Sequence, residues 1–60
     1  MTVIIYDLRN ATRIRVVNVE QIEANQTRMN GRLTNVWRML TDRGTIDFPQ
    51  KHYLIERVEK

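Results

Sequence analysis

The apolar positions along this chain come in short runs and alternations, with no long helical stripe. Val3-Ile4-Ile5-Tyr6 is β-branched and aromatic, too short for a helix, and followed by turn-forming Asp7-Leu8-Arg9-Asn10-Ala11. From Thr12 the pattern alternates, with Ile14 and Val16 on one side and Arg13 and Arg15 on the other. The alternation breaks at Val16-Val17, where a bulge or a bend from one sheet into another fits.

Two readings compete for residues 18–31. A helix would start at Asn18, carry Glu20 and Glu23 near its positive end and stop at Gly31. Its apolar stripe, however, is only Val19, Ile22 and Met29, which is thin. The alternative is a hairpin about Asn30-Gly31, a dipeptide whose two residues tolerate positive φ. Folding there opposes Thr27 to Thr34, Glu23 to Arg38, Ala24 to Trp37 and Ile22 to Met39. Those are pairs that cross-strand packing rewards, and they favour the hairpin. Leu33–Thr41 then forms a strand, Asp42-Arg43-Gly44 a turn, and Thr45–Phe48 a half-buried strand that ends or bends at Pro49. His52–Val58 supplies a last strand, although Leu54, Ile55 and Val58 also fit a helical turn.

The expected fold is therefore mostly β: five or six short antiparallel strands in a meander curling into a compact barrel-like sheet, with room for one short helix. With 60 residues, positions 1–60 make a single small β domain. For a chain this short, apolar burial and the entropy of ordering nearly cancel, so good packing, a staple or a partner subunit is required. Cysteine is absent, which removes disulfides and thiolate zinc sites, and His52 is the one histidine. No metal or cofactor is expected. Self-association is the remaining source of stability, and the strand pattern agrees. Leu33, Trp37 and Met39 lie on one face of Leu33–Thr41, and Val36 and Leu40 on the other. One small sheet can hardly cover both faces. Val36, Trp37 and Leu40 are the candidate interface.

Chemistry is sparse. Serine and cysteine are both missing, so the two commonest nucleophiles of covalent catalysis are absent, and only His52 resembles a typical base. An enzyme is not expected. No apolar run reaches the ~18 residues a membrane span needs, and Met1-Thr2-Val3 does not open a signal peptide. A cytoplasmic protein without membrane contact is the expectation.

Charge adds one further reading. The formal net charge is +3, and eight of the ten basic residues are arginine, whose planar fork suits phosphates, carboxylates and interfaces. Arg9, Arg13 and Arg15 sit in an acid-free stretch, and so do Arg28, Arg32 and Arg38. Arg13 and Arg15 would share a strand face roughly 7 Å apart, near the spacing of successive phosphates. Arg28 and Arg32 would meet at the hairpin tip. Arg13, Arg15, Arg28 and Arg32 are thus candidate nucleic-acid contacts, with Tyr6, Trp37 and Tyr53 as the available rings. The competing reading makes the arginines a solvated face and Trp37 part of the core.

No motif matches a family. In size and style alone the chain resembles accessory β-proteins of phages and other mobile elements. The leading expectation is a non-enzymatic, self-associating protein-interaction module. The alternative is a small basic β-barrel that binds nucleic acid through its arginines.

Overall fold

A computed structural model describes all 60 residues. Every element is a strand: β1 (Thr2–Asp7), β2 (Thr12–Val16), β3 (Val19–Met29), β4 (Arg32–Thr41), β5 (Gly44–Pro49) and β6 (Tyr53–Glu59). They form two antiparallel three-stranded sheets, ordered β2-β1-β6 and β3-β4-β5. No helix forms, so none is long and apolar enough to cross a membrane.

The stretch that could have been helix is β3. It pairs with β4 in the register that the sequence pairs demand: Thr27 with Thr34, Glu23 with Arg38, Ala24 with Trp37, Ile22 with Met39. Asn30 (φ 51°) and Gly31 (φ 77°) both take positive φ at the tip, the geometry that matches a two-residue turn to strand twist. A helix would have buried only a thin stripe, whereas the hairpin also satisfies the threonine and opposite-charge pairs.

The break at Val16-Val17 is a crossing between sheets. β2 stops at Val16, Val17 stands exposed, and Asn18 turns the chain with φ 57° so that Val19 starts β3 in the other sheet. Reciprocal hydrogen bonds between Met1 and Val19, both 2.9 Å, pin this corner.

The meander expectation holds for β1–β2 and for β3–β4–β5, and fails between β2 and β3 and for the last strand. β6 crosses back and pairs with β1, placing Ile5 opposite Ile55 and Tyr6 opposite Leu54. A bulge between Ile4 and Ile5 leaves Glu56 without a partner in that ladder. The sheets do not close into a barrel: all four edge strands, β2 and β6 of one sheet and β3 and β5 of the other, hydrogen-bond on one side only.

The core lies between the sheets and draws on five strands. Val3, Ile5, Val16, Val19, Met39 and Phe48 are buried together, with Ile14, Ile22, Trp37, Tyr53 and Ile55 packed around them. With a radius of gyration of 11.3 Å, against ~10 Å expected for this length, the molecule is somewhat extended.

Candidate functional site

The four arginines singled out from sequence do not gather. Arg13 and Arg15 stand on the outward side of β2, opposite Tyr6 and Ile4. Arg13 is already engaged: its Nε donates to both Glu56 carboxylate oxygens at 3.0 and 2.8 Å, and its guanidinium lies 5.4 Å from the Tyr6 ring centroid. That hydrogen bond, followed by the charge of Glu56, raises the Arg13 pKa above its ordinary value. Arg28 faces Leu33 across the ladder while Arg32 faces Met29. Adjacent pairs in a ladder point to opposite sides, so Arg28 and Arg32 leave the tip in opposite directions and make no common patch.

The candidate interface is dispersed as well. Val36 has no exposed surface, lying between Asn25 and Pro49 on the side of β4 away from the main core. Gln50 folds back beside it and donates its side-chain amide to the Val36 carbonyl at 3.0 Å. Val36 therefore has no exposed surface in the single chain, a burial that alternation along β4 alone does not reveal because it rests on Pro49, the last residue of β5, and on Gln50 just beyond it. Trp37 is half-buried against the core, and Leu40 is half-buried on the side shared with Val36.

Two other regions emerge at opposite ends of β4. The first is a basic cleft of about 440 Å³ between the β3–β4 tip, the β1–β2 turn and the β5–β6 connection. Arg9, Arg32 and Lys51 line it together with Asn30, Thr34 and His52, and no carboxylate does. Its walls are fixed by turn chemistry. Asp7 is 5% exposed, and its carboxylate accepts from the Arg9 and Asn10 amides at 2.9 and 3.3 Å and from Asn10 Nδ2 at 2.9 Å. Desolvation pushes the Asp7 pKa up, but these hydrogen bonds together with Arg9 outweigh it and leave the carboxyl below its ordinary value. Leu8 N donates to His52 O at 2.9 Å, joining the two turns, and Arg9 donates to the Tyr53 hydroxyl at 3.2 Å.

The second region is a seam of about 450 Å³ where the unpaired edges of β2 and β5 face each other. Ile14, Val16, Val17, Ile46 and Phe48 line it, flanked by Arg15, Asp42 and Arg43. Ile46 opposes the fully buried Met39 and lies on the core side of its sheet, yet it is 40% exposed because no strand covers the seam. Val17, at the mouth, is 51% exposed. Asn18 donates to Asp42 at 3.3 Å, tying the corner to the β4–β5 turn.

Between the two regions, Arg38 and Asp47 form a bidentate pair across β4 and β5 at 2.9 and 3.0 Å. The hydrogen bonds from Arg38 hold the Asp47 carboxyl below its ordinary value against partial desolvation. Arg38 is thereby committed to structure.

The cleft depends on Arg9, Arg32 and Lys51 converging from three distant stretches. Arg9 was visible only as part of a basic segment, and Lys51 carried no sequence signal. No protein-family model matches this chain, and no curated protein or solved structure is significantly similar to it.

Proposed function

We propose that this protein is a non-enzymatic interaction module that self-associates through the seam between β2 and β5. The observation that carries the reading is Ile46, a core-side residue left 40% exposed where the two sheets fail to close. Four features make a second copy the fitting occupant. Apolar side chains line the groove, and both flanking edges present unpaired backbone N–H and C=O groups. A two-fold contact sets a surface against itself, so it needs both charge signs at its rim, and Asp42 stands there beside Arg15 and Arg43. The free chain also exposes 4365 Å², somewhat above the ~4,100 Å² typical for its mass.

In this reading the domain is an open barrel whose missing closure is completed in trans. Light scattering on a concentration series tests it. The mass is expected to rise toward twice the 7.2 kDa of the chain, and Ile46→Lys is expected to hold it at the monomer value. A wild-type mass of one chain at all concentrations, or an unchanged mass for Ile46→Lys, would overturn the reading.

A further inference from the structure

The basic cleft at the other end of β4 has a character the seam lacks. Arg9, Arg32 and Lys51 line it without a carboxylate, although the chain as a whole carries seven acidic residues. A one-sign surface cannot pair with itself under two-fold symmetry, so the cleft calls for an anionic ligand.

The cleft also continues. Arg32, Thr34 and Lys51 are shared with an adjoining hollow of about 320 Å³, which in turn shares Asn35 and Gln50 with a third beside Asn25 and Gln26. No acidic side chain lines any of the three. The result is a trough with cations at one end and amide side chains along the rest. One small anion would occupy only the cationic end, whereas a chain of phosphates uses the length.

We infer that this trough binds the backbone of a single-stranded nucleic acid, with Arg9, Arg32 and Lys51 as its phosphate contacts. The cations stand around a hollow and not along a projecting ridge, so the ligand must enter it. A flexible single strand does so, while a duplex, stiff over ~50 nm, rests across the rim. Tyr53 is no free stacking platform, because Phe48 meets its ring edge-on at 5.2 Å and the Arg9 guanidinium sits 5.8 Å from its centroid. Binding is therefore led by phosphates and tolerant of sequence. This site shares Arg32 with the contacts expected from sequence and leaves Arg13 out, since Glu56 holds it.

The test is a fluorescence-anisotropy titration of a labelled single-stranded oligonucleotide, using the 60-residue chain between 50 and 200 mM salt. Three phosphate contacts to a single strand predict a log–log salt slope of about −2, hence roughly a twentyfold loss of affinity over that range. The double variant Arg32→Gln/Lys51→Gln is expected to weaken binding ~tenfold or more and flatten the slope to about −0.7. Both side chains are exposed and free of hydrogen bonds, and the charge-preserving swap Arg32→Lys/Lys51→Arg is expected to keep the wild-type slope. Arg13→Gln is expected to bind as wild type does. The inference is overturned if the double variant keeps the full slope, or if Arg13→Gln weakens binding as much. Tighter binding of a duplex of the same sequence, or of a phosphorylated peptide, would overturn it as well.

Discussion

The two ends of β4 solve opposite problems with similar amounts of surface. At the Thr41 end, two sheet edges leave an apolar seam rimmed by charges of both signs. At the Arg32 end, three turns bring cations together around a polar hollow with no acid. Both hollows are of similar size, so size does not tell them apart; the sign pattern of the rim does. A mixed-sign rim around apolar groups suits a copy of itself, and a one-sign rim suits a ligand of the other sign. In a chain with room for one core, the surfaces at the ends of the longest hairpin stay chemically separate because the core between them is shared by both sheets.

That shared core is where the comparison breaks most severely. Met39→Ala removes a side chain with no exposed surface that meets residues of both sheets, and is expected to cost about 2–5 kcal/mol. In a domain of this size that lowers the melting temperature by ~10 °C or more, read by circular dichroism, and both ends fail together. Next is Val17→Asp at the seam mouth, which is expected to weaken self-association by about 2 kcal/mol, roughly thirtyfold. Sedimentation velocity checks this, and oligonucleotide affinity per chain is expected to stay unchanged. A smaller effect of the other sign is expected at Ala11. It holds φ 53° in the turn that carries Arg9, a conformation glycine adopts without a Cβ penalty. Ala11→Gly is expected to stabilise by ~0.5 kcal/mol in denaturant melts and to leave both binding ends as they are.

Acid sharpens the contrast further. The Asp7 and Asp47 carboxyls are both held below their ordinary values in the folded chain. Each therefore stabilises the fold fully above its unfolded pKa near ~3.9 and loses that contribution as pH falls through the lower, folded value. Thermal melts are expected to be flat from neutral pH down to about 5 and to drop below about 4. Since Asp7 ties the turn that bears Arg9, the cleft end is expected to loosen as that carboxyl protonates, visible as lower protection of the Arg9 and Asn10 amides relative to their intrinsic exchange rates at the same pH.

What the sequence conveyed follows the range of each interaction. The β3–β4 register was legible to the residue, because a two-residue turn fixes which side chains oppose and the pairs are chemically distinctive. The crossing at Val17 was legible because two adjacent valines interrupt a period of two. The return of β6 to β1 was not, since no turn joins those strands and the bulge at Glu56 leaves no mark in the pattern. With that pairing went the fate of Arg13, whose partner Glu56 lies 43 residues away. The cleft was hidden for the same reason: Arg9 and Lys51 become neighbours only after both sheets are assembled. Val36 shows a subtler limit, for alternation put it on the face opposite Trp37 and Met39 but could not foresee its complete burial there.

The most direct test of two independent ends is a residue-resolved map of amide chemical shifts, followed first through dilution and then through addition of a single-stranded oligonucleotide. Dilution is expected to move Ile14–Asn18 and Thr41–Phe48 while Arg9, Met29–Thr34 and Lys51–Tyr53 stay still. The oligonucleotide is expected to move the second set and spare the first. If the same residues respond to both, or the cleft moves on dilution while the seam does not, the assignment of self-association to one end and ligand binding to the other is contradicted.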